Sequence, residues 1–239
     1  MIVAGLLALA AACLAVALLL LRSLGDRYRV GRLLAAAPLV DITAARELAS
    51  GAPAYVRVNG RITSEEEFPD ENDRPLVYRR KRIDIGDGRG TWRTIADERE
   101  AVPFALETRG SYISIDEAAI DRGLIAIPRE AGGRLSDIPA DLLEGIDSLP
   151  PADTPARLVI EQLSAVEHAT VCGTPVLRDG LPTMTAGRGR PLIITTLDNA
   201  AAMRLLAGAD RPRVVGATVC LAAAVVLVIA SGAAFIVGP

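Results

Sequence analysis

Three cysteines and one histidine are all the thiol and imidazole ligands in this 239-residue chain. Cys13 and Cys220 sit inside apolar runs, so only Cys172 and His168 remain for the polar region between them. A structural zinc site takes four Cys or His ligands, and that region cannot supply them. A lone cysteine also excludes a disulfide within it, which suits a reducing compartment. Aromatic residues make up 3% of the chain, and its 26 basic residues do not outnumber its 29 acidic ones. Stacking platforms for bases and a basic track for phosphates are therefore both lacking, which argues against nucleic acid as a partner. Charge of either sign is missing from two long stretches, Ile2 to Leu21 and Val214 to Val237.

Those two stretches are the main positive feature. At 1.5 Å per residue they reach about 30 and 36 Å, enough to cross a hydrocarbon core of about 30 Å. The spacing predicts two transmembrane helices, over residues 1–21 and 214–237. A cleaved signal peptide fits the first one poorly. Its leader, Met1-Ile2-Val3, carries no charge beyond the amino terminus, and Ala8-Leu9-Ala10 lies inside the apolar run rather than after it. Arg22, Arg27, Arg29 and Arg32 follow the first run, and Arg204, Arg211 and Arg213 precede the second. The positive-inside rule then predicts an integral membrane protein (of the cell membrane, in a prokaryote) with residues 22–213 cytoplasmic and both termini outside. Small residues four apart, Gly216, Cys220 and Ala224 in one run and Ala8 and Ala12 in the other, are expected to pack the helices together or to form a homo-oligomer seam. With no acid or base inside either run, a proton or ion pathway is not expected.

Between the spans the periodicity changes along the chain. Asp26 to Ser50 has near-helical apolar spacing interrupted by Pro38, with Asp41 placed to cap a short second helix. From Ala54 the period is two. Strands are expected over 54–62, 76–85 and 91–95, with Gly86 to Gly90 as the turn between the last two. Ala101 to Leu106 and Ser111 to Ile115 read as a hairpin, and Leu124 to Ile127 as a short buried strand. Residues 129–156, rich in Gly, Pro and Asp, read as an extended connection. Arg157 to Val166, Ala169 to Gly173 and Pro191 to Thr195 follow as further short elements, then a helix over Leu197 to Ala207. Tyr55 to Gly60 and Ala169 to Gly173 look like two similar apolar–Gly units. The expected fold is α+β: a β-rich domain over residues 54–196 inserted between two transmembrane α-helices, with a juxtamembrane helical segment (22–53) and a connecting helix (197–213).

Val56, Val58 and Gly60 form one strand motif, and Trp92 marks an aromatic strand. Pro103-Phe104 then leads to a turn at Gly110, and Gly173 closes a second apolar–Gly strand. This layout, bracketed by two spans, resembles the GIDE or "beside a membrane" family related to the mitochondrial membrane-anchored E3 ubiquitin ligases. The resemblance implies a membrane-tethered β-rich module that senses a partner or substrate from the cytosol. The ligases carry a RING zinc domain after the second span, and no Cys/His cluster stands in for it here. Ligase activity would therefore need a RING from another chain, or Cys172 as a thioester carrier. The leading expectation is a binding or scaffold module with no catalytic site and no cofactor, whose partners are membrane lipid and a protein; the alternative is a structural, lipid-interacting membrane protein.

Further candidates are weighed on chemistry. His168 with Ser164 and Glu161 or Glu167 contains the residue types of a hydrolytic triad, without a Gly-x-Ser-x-Gly elbow. Gly86 to Gly90 lacks the Gly-Lys-Ser/Thr ending of a phosphate loop and reads as a hairpin turn. Glu65, Glu66, Glu67, Asp70, Glu71 and Asp73 are acidic enough for calcium but lack EF-hand spacing, so they read as a solvated loop. Arg79, Arg80, Lys81 and Arg82 form the densest basic cluster. They read either as the charges of a solvated edge strand or as contacts for anionic lipid heads.

Overall fold

The computed structural model describes residues 2–23, 25–88, 90–120, 123–146, 148–208 and 211–237. Its helices are α1 (Ile2–Ser23), α2 (Gly25–Ala36), α3 (Ile42–Leu48), α4 (Asn199–Gly208) and α5 (Arg211–Val237). Its strands are β1 (Val56–Thr63), β2 (Phe68–Pro69), β3 (Pro75–Gly86), β4 (Trp92–Ala101), β5 (Ala105–Thr108), β6 (Ser111–Ile115), β7 (Leu124–Ile125), β8 (Arg129–Arg134), β9 (Pro155–Ser164), β10 (His168–Arg178), β11 (Leu181–Thr185) and β12 (Ile193–Thr195). Helices and strands both contribute, as an α+β chain requires. Two compact units result: residues 1–35 with 199–239, and residues 36–198.

In the helical unit, α1 packs along α5. Ala10 and Ala17 of α1 and Ala217, Ala224 and Ser231 of α5 are buried, each seven residues from the next on its own helix. Half-buried Leu6, Cys13 and Leu20, with Cys220 and Leu227, fill the alternate positions. This three-then-four spacing is a heptad seam whose buried positions carry small side chains. A Cβ on Gly216 would meet Leu20 Cδ1 at 3.4 Å, which sets the end of α1 beside the start of α5 and makes the pair antiparallel. Gly216, Cys220 and Ala224 thus face the seam as expected, whereas Ala8 and Ala12 are exposed. Two residues are about 200° of helix rotation, so the face that buries Ala10 turns both of those alanines away. The leucines and valines flanking the seam point outward. By length and composition, Ala4–Leu21 and Val214–Gly232 are long and apolar enough to cross a membrane. Beyond them, Val30 and Leu34 of α2 and Ala202 of α4 are buried, with Met203 and Leu206 set against Gly31.

The second unit is built on a closed barrel. β1 pairs antiparallel with β5, β5 with β6, β11 with β10, and β10 again with β1; only β6 and β11 run parallel. Five strands closed in the order β1-β5-β6-β11-β10 make a Greek-key barrel of the OB type. Inward-facing Val56, Val58, Ile62, Leu106, Ile113, Val171 and Met184 fill it, and Ile42 and Ala45 of α3 pack into the same core. Asp41 caps α3 by accepting the Ala44 amide at 2.6 Å, as the sequence predicts. Because α3 packs on β1, β5, β6 and β10, it belongs with the barrel rather than with the helical segment that precedes it. The two apolar–Gly runs prove to be partners: Val56 lies opposite Gly173 and Gly60 opposite Ala169.

A second, wholly antiparallel sheet is inserted in the barrel's connections. Its order across is β4-β3-β9-β8, with the short β2 beside one end of β3. Ile83, Ile85 and Ala156 pack against Leu135 and Ile138 as a small core of their own. Residues 129–156 are therefore not a plain connection. They hold β8 and the 3-10 turns Leu135–Asp137 and Ala140–Leu143. β8 escapes sequence detection because Gly132 and Gly133 pair with Arg157 and Ala156 through backbone alone. β4 runs on to Ala101, past the expected Ile95, since its charged outer half pairs across with β3. The expected strand from Ala101 is interrupted: the Val102 amide bonds Val77 O, and pairing resumes at Ala105.

Candidate functional site

The basic cluster Arg79 to Arg82 lies on β3, which is bonded along one edge to β4 and along the other to β9. It is thus a central strand and not a solvated edge. Alternation puts Tyr78, Arg80 and Arg82 on one face and Arg79 and Lys81 on the other. Arg80 makes a bidentate pair with Asp97 at 2.7 Å for both bonds and comes within 4.0 Å of Glu161. Arg79 pairs with Glu100 and stacks over Phe68. The Arg80 bonds hold the Asp97 carboxyl below its ordinary range, despite the burial that opposes this. Tyr78 projects into the same ionic face, is 1% exposed, and its hydroxyl has no hydrogen-bond partner among the described residues. Burial pushes that phenol up.

Sequence reasoning missed the centre of this network. Asp84, 3% exposed, accepts from Thr94 Oγ1 at 2.7 Å and Arg82 Nε at 3.1 Å, and it pairs with Arg157 at 3.0 Å. Arg157 in turn stacks over Trp92, whose ring is half open to solvent. The only available signal was an acid in a strand pattern between Ile83 and Ile85. Asp116 is a second such group: it is buried, paired with Arg178 at 2.7 Å and bonded by the Thr185 hydroxyl.

The motif glycines have steric roles. A Cβ on Gly60 would stand 2.9 Å from Glu107 O, and one on Gly173 would stand 2.9 Å from Thr185 O and 2.8 Å from Leu192 Cδ1. Both sit where neighbouring strands close the barrel most tightly. Gly110 has φ +77 and follows Arg109 at φ 52, a two-residue turn of the mirror-image kind that joins β5 to β6. Val56, Val58 and Phe104 are buried, and the Ser64 hydroxyl donates to the Pro103 carbonyl.

The remaining candidates are drawn into structural bonds. Ser164 donates its hydroxyl to Pro75 O at 2.9 Å and its amide faces Glu167 at 3.4 Å, so serine and His168 are not brought together as a nucleophile and base. His168 is exposed at the start of β10, opposite Arg61. Asp70 is buried rather than solvated. It accepts the amides of Asn72 and Arg74 at 2.7 and 3.0 Å and pairs with the Arg74 guanidinium, which is turn chemistry and not a calcium loop. Among the described residues no three His, Cys, Asp or Glu converge on a point that could hold a metal. Gly86 and Asp87 lead into the β3–β4 turn, where Asp87 bonds the Thr91 amide; position 89 lies outside the described residues.

Two measurements follow from these environments. Cys172 is fully buried on β10, and burial pushes its thiol up to about 12. Thiolate is the reactive form, so iodoacetamide at pH 8 should leave Cys172 unmodified in the folded chain and modify it in denaturant, as read by peptide mass mapping. Rapid labelling of the native chain would remove the basis for an inert thiol. The Asp70 carboxyl is lowered from 3.8 to about 2, chiefly by the Arg74 amide and then by the Asn72 amide and the Arg74 guanidinium. Its folded value lies below its unfolded value, so its contribution is complete above about pH 4 and disappears as pH falls towards 2. Asp70→Asn should flatten the acid-unfolding curve in that window and not above it.

Searches against protein-family models, curated proteins and solved structures each found no match to this chain.

Proposed function

We propose that this chain is a two-span membrane protein whose helices tether the barrel and its inserted sheet at the cytoplasmic face, as a binding or scaffold module for a protein partner. One observation supports the membrane reading above the others. A helix pair in water buries Leu and Ile at its heptad seam and exposes polar residues. Here the buried seam positions are Ala and Ser, alternating with half-buried Cys and Leu, while Leu18, Leu19, Val215, Val219, Val226 and Ile229 face outward at about half exposure or more. That inversion costs free energy in water and none in hydrocarbon, where close approach of small residues drives helix association. The bracketing Arg residues support the cytoplasmic orientation. The resemblance to the GIDE family supports a partner-binding role for the module, and the saturated side-chain chemistry of Ser164, Cys172 and Asp70 favours binding over catalysis.

The whole chain should stay with membranes through alkaline carbonate washing and leave only with detergent. Release by carbonate would contradict the spans. For the binding role, a protein that copurifies in fixed ratio from detergent-solubilised membranes, and is lost when residues 54–195 are deleted, is the expected result. Recovery of the chain alone would contradict it.

A further inference from the structure

The two units carry opposite charge. Residues 1–35 and 199–239 hold seven Arg against two acids, Asp26 and Asp210, whereas residues 36–198 hold nineteen basic against twenty-seven acidic residues. The excess of arginine is confined to two short stretches, four Arg between residues 22 and 32 and three between 204 and 213. These stretches are the ends of α1 and α5 and the helices α2 and α4 that adjoin them. Arg29, Arg32 and Arg204 are exposed there. In the other dense basic cluster, Arg79, Arg80 and Arg82 are each engaged by a carboxylate of the same sheet. It also lies in the unit whose net charge is negative, which an anionic surface repels.

We infer that the arginine collar formed by α2, α4 and the adjoining helix ends is a binding site for anionic phospholipid headgroups, and that the Arg79–Arg82 strand is not. The inference rests on the membrane reading above. A basic cluster directly beside a span lies within a Debye length of the headgroups, where each charge adds roughly a fivefold preference for anionic over zwitterionic lipid. Partial screening makes the whole collar's preference smaller than the product of its members. The net negative barrel unit gains nothing from the same field, so the charge division sets which part of the chain faces lipid and which is left to a partner.

The test is the relative association of spin-labelled phosphatidylglycerol and phosphatidylcholine with the full chain in phosphatidylcholine vesicles, read by electron spin resonance. The expected wild-type result is a phosphatidylglycerol preference of several-fold that falls towards unity in 0.5 M salt. Arg29→Gln, Arg32→Gln and Arg204→Gln together should lower it by several-fold. Arg79→Gln, Arg80→Gln, Lys81→Gln and Arg82→Gln together should leave it unchanged. The salt arm needs no variant, so a misfolded substitution does not decide the matter. Equal association of both lipids with wild type embedded in the vesicles overturns the inference and spares the membrane reading. Loss of preference in the β3 variant but not in the collar variant overturns the assignment of the site. Failure of the wild-type chain to enter vesicles overturns both.

Discussion

Replacing Gly123 by alanine is expected to destabilise the barrel unit by about 3 kcal/mol or more, a loss of roughly 6–12 °C in thermal midpoint. Gly123 immediately precedes β7, which pairs in parallel with β12, Leu124 opposite Ile194. Its carbonyl accepts the Ile194 amide at 2.9 Å, so the two backbones are locked together at this point. A Cβ here would fall far inside van der Waals contact distance of Leu192 O, 2.7 Å from the Leu192 carbonyl carbon and 3.1 Å from Ile193 Cα. All three are backbone atoms, and none can swing aside as a side chain would. Relief requires β7 and β12 to part, which loosens the β10–β12 pairing and the buried Leu192, Ile193 and Ile194 with it. Gly132→Ala is the control, since a Cβ there meets nothing within 4 Å. Near-ultraviolet circular dichroism of the full chain in detergent reads both. An unchanged melt for Gly123→Ala would mean that β7 and β12 are not in contact.

Asp84→Ala should cost about 2–3 kcal/mol and should alter the emission of Trp92, the chain's one tryptophan. Asp84 is the buried acid that binds Arg82, Arg157 and Thr94. Removing it leaves two guanidiniums facing each other across β3 and β9. Both arginines keep about a quarter of their side-chain surface in solvent, which lets them recover part of their hydration and keeps the cost below that of a fully enclosed pair. Arg157 lies 4.6 Å from the Trp92 ring centroid, so its release should change the fluorescence as well as the stability. Arg79→Gln is the contrast. Its partner Glu100 is half exposed, and a pair of that kind is worth about 0.5 kcal/mol. Equal effects from Asp84→Ala and Arg79→Gln would show that burial does not set the strength of this network.

What the sequence revealed and concealed follows from which interactions leave a periodic trace. The two long apolar helices, the capping Asp41, the turn glycines and the strands with alternating Val and Ile are all legible, because each is a local rule written in adjacent residues. The barrel closure is not. It depends on Gly60 meeting the Glu107 backbone and Gly173 the Thr185 backbone, and on the parallel pairing of β6 with β11, of which only β6 has a hydrophobic signature. β11, Leu181–Thr185, contains Pro182 and two threonines and was not expected at all; it follows a tight turn at Asp179 and Gly180, both at positive φ. The basic cluster is legible as a strand but not as a central one, since partners for Arg79 and Arg80 come from β4 and β9, 17 to 81 residues further on. The α1–α5 seam runs through Ala10 and Ala17 rather than Ala8 and Ala12, because alanine is frequent on every face of that helix and only packing selects among them.

The proposed function requires residues 22–213 to lie on one side of a bilayer that α1 and α5 both cross. Trypsin digestion of sealed right-side-out and inverted vesicles, followed by mass mapping of the fragments, tests this most directly. The prediction is that Arg sites between residues 22 and 213 are cut only in inverted vesicles, and that in a parallel proteinase K digest Ile2 to Leu21 and Val214 to Val237 survive as protected fragments. Cleavage of those sites in right-side-out vesicles would reverse the orientation. Complete digestion of either apolar segment by proteinase K in intact vesicles would contradict the account.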